Sequence, residues 1–253
     1  MIDTEAVVNR LHTIESLAVI ARVKSTNLLA RRIVNECLDN ELSLPQAMIV
    51  AREQLAGRGR HERSWSSPAG KGIYATTLVT RTAAEMAVLP LSIATIIARY
   101  LIEVFGIDAR IKWPNDILVG GRKIAGVLLE ARVQEQRAYV AVGIGVNLEP
   151  VKDDDRPNAV SVREVAASGY TAVDDAIIRF IEYVDDGLTR RDSPSRVLEA
   201  WRELTVHQPG DPITCVVGDR TVSGTWMRID DQGRAILRTS DGELAVAAGD
   251  LIV

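Results

Sequence analysis

A chain of 253 residues with 47% hydrophobic and 25% charged side chains has the composition of a globular protein and enough length to bury a substantial core. Its formal net charge of −4 gives no overall footprint for nucleic acid, and its two cysteines, Cys37 and Cys215, match no metal-ligand spacing and read as free thiols of a reducing compartment. The start, Met1-Ile2-Asp3-Thr4-Glu5, lacks a basic-then-apolar leader, and the most apolar stretch, Met86–Ala98, is broken by Pro90 and Ser92 and too short for a bilayer; a cytoplasmic location without a membrane partner is expected.

In chain order, Asp3 caps a short helix through Leu11, and Ala18–Val23 is an apolar run of strand length. Ser25-Thr26-Asn27 then precedes Leu28, Leu29, Ile33, Val34 and Leu38 at helical spacing, which makes Ser25 or Thr26 an N-cap. Capping explains one hydroxyl. Three small polar groups at a strand-to-helix junction also suit a ligand. Gln46–Arg52 reads as a buried strand delivering the loop Gln54–Lys71, where Gly57, Gly59 and Gly70 free the backbone and Arg58, Arg60 and Arg63 offer planar forks to oxyanions. From Arg52 to Lys71 five Lys/Arg face two acids, a local positive patch suited to a compact anionic ligand; Trp65 adds a flat face for a base.

Gly72–Thr80 alternates as a half-buried strand, and Val88–Phe105 is the strongest helix, closed by Gly106 and assigned to the core. Ala109–Lys112 is a strand ending in Trp113-Pro114-Asn115-Asp116, where Pro114 interrupts the ladder and displays Lys112, Asn115 and Asp116 at a bend. Ile117–Val119, a Gly120-Gly121 turn and Arg122–Arg132 form a hairpin carrying Lys123 and Gly126. Ala138–Leu148 is another strand, with Gly143 and Gly145 where something approaches closely and Asn147 at its end. Pro150–Pro157 is an acidic loop, and helices cover Ala172–Arg190 and Ser195–Thr205. From Gln208 onward short strands and dense turn signals indicate a small β-barrel appended to an α/β domain, which divides the chain into 1–206 and 207–253.

Several chemistries are excluded. Gly70-Lys71 is followed by Gly72 and lacks the hydroxyl of a phosphate-binding P-loop, Gly143-Ile144-Gly145 lacks the third glycine of a dinucleotide fingerprint, and His12, His61 and His207 are too scattered for zinc. No G-x-S-x-G elbow occurs. A cationic loop, a hairpin lysine and an Asn-Asp bend remain. Lys123 is either a solvated edge lysine or a ligand group, and Gly126 favours the second. In a regular strand the two point to opposite faces, so both serve one ligand only if the strand twists, bulges or offers Gly126 through its backbone.

Gln54-x-Ala56-Gly57-Arg58-Gly59-Arg60, then Lys112-Trp113-Pro114-Asn115-Asp116, then Arg122-Lys123-Ile124-Ala125-Gly126 resemble the signature blocks of biotin protein ligases, in that family's order. Ser25-Thr26-Asn27 upstream and Gly143-Ile144-Gly145-Val146-Asn147 downstream extend the resemblance over nearly the whole chain. It implies a class II synthetase-like α/β (α+β) domain on a mixed sheet, followed by an SH3-like barrel. It departs at Glu62, where the family pattern has glycine, and in lacking the helix-turn-helix domain of the repressor branch, so operator binding is not expected.

The resemblance implies a ligase that forms biotinyl-5′-AMP from biotin and ATP and transfers biotin to a lysine of a biotin carboxyl carrier domain, with magnesium held mainly by the ATP phosphates. By motif position, Lys123 bridges biotin carboxylate and α-phosphate, and Arg58 and Arg60 belong to the loop that folds over them. Ser25, Thr26, Asn27, Gln54, Gly57 and Gly126 meet biotin. Arg63, Trp65, Asn115 and Asn147, with Arg60 and Lys123, meet the nucleotide, and Asp116 steers or deprotonates the incoming lysine. A lipoate or octanoate ligase and a nucleic-acid-binding module are the alternatives. The first lacks support in the order of arginines and glycines here, the second in an aromatic content of 4% and an acidic balance.

Overall fold

The computed structural model describes residues 2–61, 63–151, 158–166, 172–217, 220–247 and 249–252; Glu62 and most of the expected acidic loop 150–157 lie outside the described residues. In chain order the elements are α1 (Thr4–Val8), β1 (Ser16–Ile20), α2 (Thr26–Asp39), β2 (Ala47–Ala51), β3 (Gly72–Thr82), α3 (Ala83–Phe105), β4 (Arg110–Lys112), β5 (Asp116–Val119), β6 (Arg122–Gln134) and β7 (Arg137–Asn147). They continue as α4 (Val162–Val165), α5 (Val173–Thr189), α6 (Pro194–Leu204), β8 (Pro212–Val217), β9 (Arg220–Ile229), β10 (Ala235–Thr239), β11 (Gly242–Val246) and β12 (Asp250–Ile252).

The first seven strands form one mixed sheet in the order β1-β2-β3-β7-β6-β5-β4. Only β1 and β2 run parallel, joined through α2; the remaining pairs are antiparallel. Alternation along each strand sorts the residues between two faces. Ile73, Ala75 and Val79 of β3 and Val140, Val142, Ile144 and Val146 of β7 join the large core with α3, α5 and α6. On the other face Ile49, Leu78 and Ala141 pack with Ala30 and Val34 of α2. Each fully buried Val or Ile contributes roughly 1.5–3 kcal/mol. Because β3 is central, Gly72–Val79 is buried on both faces rather than on one, as its alternation had suggested.

α3 starts earlier than the apolar spacing predicts, because Thr82 and Glu85 form a reciprocal capping box ahead of it. Pro90 lies inside the helix, flanked by buried Val88, Leu89 and Leu91, so burial outweighs the break signal. At 23 residues α3 is long and apolar enough to cross a membrane, yet it is the core helix of this fold, largely buried within it. Gly106 closes it in the left-handed conformation, φ 64°. The N-terminal segment is tied down by the buried carboxylate of Asp185 on α5, which accepts from the amides of His12, Thr13 and Ile14 at 2.6, 2.9 and 2.7 Å. Three donors compensate its desolvation. Neither cysteine is in a disulfide; Cys37 is half-buried and Cys215 buried.

The C-terminal strands correct an expectation. They form an open antiparallel sheet in the order β11-β10-β9-β8-β12, and no pairing joins β11 to β12 among the described residues, so no barrel closes. β12, Asp250–Ile252, has three residues and among the described residues pairs with β8 alone. The apolar face of this sheet does not need to close on itself because the rest of the molecule covers it. Ile213, Cys215, Trp226, Leu237 and Leu251 belong to the same core as Trp113 and Trp201, and the turn at Gly233 sits against Leu91 of α3.

Candidate functional site

The hairpin β5–β6 turns through Gly120 and Gly121, both with positive φ (55° and 78°), as a tight two-residue turn requires. Just past the turn the ladder shifts. Asp116 pairs with Gly126 and Ile117 with Ala125, but Leu118 pairs with Lys123, so β6 carries one extra residue. This β-bulge reverses the parity of Lys123 and brings it to the face of Gly126, resolving the conflict in the sequence pattern. A Cβ on Gly126 would lie 3.0 Å from Lys123 Cε and 3.2 Å from its Nζ. Glycine there makes room for the lysine. Lys123 Nζ is held by Asp116 Oδ1 at 2.6 Å.

The glycine–arginine loop folds into a small hairpin. Trp65 N donates to Gly57 O at 2.9 Å, Gly59 N to Arg63 O at 2.7 Å and Arg63 N to Arg60 O at 3.1 Å. Gly57 is demanded by close approach, since a Cβ would lie 2.6 Å from Ser67 Oγ; it supports the loop from behind. Arg58 Nη1 reaches Glu130 Oε1 at 3.3 Å, and Arg60 Nη1 reaches Asn115 Oδ1 and the carbonyl of Gly249, each at 3.1 Å. The ring of Trp65 lies on the glycine floor of β7: a Cβ on Gly145 would stand 2.5 Å from Cε2. Lys123 Nζ sits 5.3 Å from that ring, within cation–π range.

The polar floor is built at the start of α2. Ser25 is the N-cap but makes no side-chain capping bond. Gln54 Oε1 instead accepts from the amide of Thr26 at 2.8 Å and from its hydroxyl at 3.1 Å, while Gln54 Nε2 donates to Ser67 Oγ at 2.9 Å. The expected cap hydroxyls are thus replaced by a side chain from the loop. Thr76 of β3 lies 2.7 Å from both Thr26 Oγ1 and Asn27 Oδ1. Asn27 Nδ2 donates to Glu130 Oε2 at 3.0 Å and Leu128 O at 3.3 Å. Its amide is therefore committed to the wall.

The third side is the bend 113–116, whose Trp113–Pro114 peptide is cis. Trp113 is buried, its backbone N donating to His207 Nε2 and its indole N to Gly233 O, both at 3.0 Å. Asn115 Nδ2 donates to Val127 O at 2.6 Å, leaving its oxygen toward Arg60. His207 stacks on Trp226 with centroids 4.4 Å apart. Burial first, then the neighbouring charge of Lys112, pushes His207 down to about 4, against a weaker opposing pull from Asp211. It is a neutral acceptor that clamps the bend to the second sheet. Asn147 Nδ2 donates to Val160 O at 3.1 Å and Lys123 O at 3.4 Å, and Lys123 exchanges main-chain bonds with Asn158 and Val160. Residues 158–160 are thereby fastened beside the lysine.

These parts enclose one cavity of about 380 Å³, a size that suits a small-molecule site. Ser25, Thr26, Asn27, Gln54, Arg58, Arg60, Arg63, Trp65, Asn115, Asp116, Lys123, Gly126 and Asn147 all line it, and of the sequence candidates only Gly57 stands behind it. Glu130, Thr76 and Asn158 were missed. Parity was the available signal for Glu130, which follows Gly126 and Leu128 on one face of β6. Asn158 had no local signal, because its place depends on pairing with Lys123.

Comparison with known proteins gives consistent relatives. The model of the Biotin/lipoate A/B protein ligase family matches residues 19–147. The biotin–[acetyl-CoA-carboxylase] ligase of Paracoccus denitrificans is 34% identical over 246 residues, covering 92% of this chain and 98% of that protein. The enzyme of the same description from Mycobacterium tuberculosis is 29% identical, covering 93% and 88%. Among solved structures, a biotin protein ligase from Aquifex aeolicus in complex with biotin and ATP is similar with a TM-score of 0.73 at 21% identity, over 94% of this chain and 98% of that one, a likeness of fold.

Proposed function

This chain belongs to the biotin/lipoate A/B protein ligase family, and from that premise we propose that it activates biotin with ATP and transfers it to a lysine of a carrier protein. The observation that carries the proposal is convergence. Arg58 and Arg60 from one loop and Lys123 from a bulged strand meet in one cavity whose floor is uncharged and polar. Joining a carboxylate to a triphosphate first requires overcoming their repulsion. Fixed positive charge does so and stabilises the charge that develops on the transferring group.

In the proposed first step a biotin carboxylate oxygen attacks the α-phosphorus, forming the mixed anhydride biotinyl-5′-AMP and expelling pyrophosphate. Lys123 lies between the two anions, and Arg58 and Arg60 cover them. Ser25, Thr26 and Gln54 face the ureido ring, which offers two N–H donors and one carbonyl acceptor. The nucleotide is assigned to Arg63, Trp65, Asn115 and Asn147. Among the described residues no group of three or more His, Cys, Asp or Glu side chains gathers. Magnesium is assigned mainly to the ATP phosphates, whose charge it would neutralise.

In the proposed second step the carrier's lysine amine attacks the biotinyl carbonyl and AMP leaves. The amine must be neutral, against a free pKa near 10.4. Asp116 is the proposed steering group or base, and it is already paired with Lys123. The partner is a biotin carboxyl carrier domain, consistent with the acetyl-CoA-carboxylase named for the relatives. The test is incubation with biotin, Mg-ATP and a carrier domain, followed by mass measurement of the carrier. One added biotin on a single lysine is expected. An unmodified carrier, or preferential transfer of lipoic or octanoic acid offered instead, would overturn the reading.

A further inference from the structure

Glu130 belongs to none of the motifs that point to the site, yet it holds two residues that line the cavity, Asn27 and Arg58, with its own side chain only 18% exposed. Its Oε1 accepts from Arg31 Nη1 at 3.0 Å and from Arg58 Nη1 at 3.3 Å, and its Oε2 accepts from Asn27 Nδ2 at 3.0 Å. Asn27 is seated over Gly143, where any Cβ would collide with its amide. The carboxylate therefore has a fixed place, set by Asn27 and Arg31 of α2, and among the described residues of the loop its partner is Arg58. One carboxylate between two guanidinium groups leaves a net positive charge at the cavity's edge.

We propose that Glu130 is a positioning residue for Arg58: it holds the guanidinium beside the cavity before the ligands arrive and shares it with the ligand anions once they are bound, while staying paired to Arg31. The inference rests on the ligase reading. A lone partly buried carboxylate abandoned by its partner would be costly. Here Arg31 and Asn27 stay on Glu130 when Arg58 turns partly toward the ligand, so the carboxylate remains compensated. The pairing keeps the loop ordered beside the cavity, and its loss lets the loop move away from a bound adenylate.

The test is a double-mutant cycle on the release of biotinyl-5′-AMP from the intact protein. Adenylate is formed with biotin and Mg-ATP, and its escape is followed after rapid dilution. Glu130→Gln and Arg58→Ala are each expected to speed release by roughly 10-fold, and the double variant by no more than the larger single effect. Glu130→Asp, which retains the charge, is expected to restore release part-way toward the unmodified rate, which a purely packing role would not do. Multiplying effects of the two substitutions, or a Glu130→Gln release rate equal to that of the unmodified protein, would overturn the assignment. Failure of the unmodified protein to form adenylate would instead overturn the ligase reading, so the two failures are separable.

Discussion

Strand β7 carries two kinds of residue in strict alternation. Val140, Val142, Ile144 and Val146 point to the helical core, and Tyr139, Ala141, Gly143, Gly145 and Asn147 point the other way. The first set fills space with branched side chains. On the second, Gly143 gives way to Asn27 and Gly145 to Trp65, so the ladder is kept while the surface is hollowed. One strand thus supplies cohesion through one face and a cavity through the other. Substitutions on the two faces are expected to fail differently: stability on the core face, chemistry on the cavity face.

The largest effect tests the cavity face. Lys123→Ala is expected to slow biotin-dependent pyrophosphate release by roughly 10³-fold or more, comparable to removing a principal oxyanion donor, with the thermal midpoint nearly unchanged. Unfolding in place of inactivity would break the division between faces. Asp116→Asn comes next. It should slow transfer from preformed adenylate to the carrier by roughly 10²-fold, the scale of a lost general base, while changing adenylate formation much less. Equal loss in both half-reactions would limit Asp116 to orienting Lys123.

His207 lies at the seam between the two sheets and should behave as part of the core. It stands at about 4 in the folded protein against 6.5 unfolded. Between those values the unfolded chain binds a proton that the folded chain refuses. The stability due to its neutral form is complete above pH 6.5 and is lost as pH falls toward 4, by up to about 3 kcal/mol. Urea midpoints measured at pH 7.5 and pH 4.5 should show the loss, and His207→Gln should flatten it. Adenylate formation at pH 7.5 should change little in that variant.

A pair of neighbours on β7 makes the comparison most directly. Val142→Ala is expected to cost roughly 2–3 kcal/mol of stability through the space left in the core, with the biotin KM almost unchanged. Gly143→Ala, one residue along, pushes a methyl into Asn27. The expected result is a biotin KM raised by roughly 10-fold or more, with a stability cost of about 1–3 kcal/mol from overpacking. Matching phenotypes for the two would show that the faces are not separable.

The strands and the long helix were legible because period-two and period-3.6 patterns are local. The candidate cations were legible because arginine between glycines, and lysine after a glycine turn, are conspicuous. Three features were not. The bulge that brings Lys123 beside Gly126 arises from the register of β5 against β6, and no local pattern of β6 announces it. The C-terminal strands have the turn density of a barrel, and only the contact of Trp226 and Leu237 with the larger core shows why they stay open. Glu130 looks like a solvated strand residue until Arg31, Arg58 and Asn27 are placed around it.

The smallest expected effect concerns Ser25, which holds the N-cap position indicated by the sequence but makes no side-chain capping bond. An N-cap serine ordinarily stabilises its helix by about 1 kcal/mol through a side-chain hydrogen bond. Ser25 makes no such bond, and the free amide at Thr26 is satisfied by Gln54 Oε1. Ser25→Ala should therefore shift stability by less than about 0.5 kcal/mol, while Gln54→Ala should cost the usual cap value of about 1 kcal/mol or more. The hydroxyl of Ser25 still lines the cavity. If its work is ligand binding, Ser25→Ala raises the biotin KM several-fold at constant thermal midpoint. A lowered midpoint with unchanged KM would return Ser25 to the helix as its cap and remove it from the site.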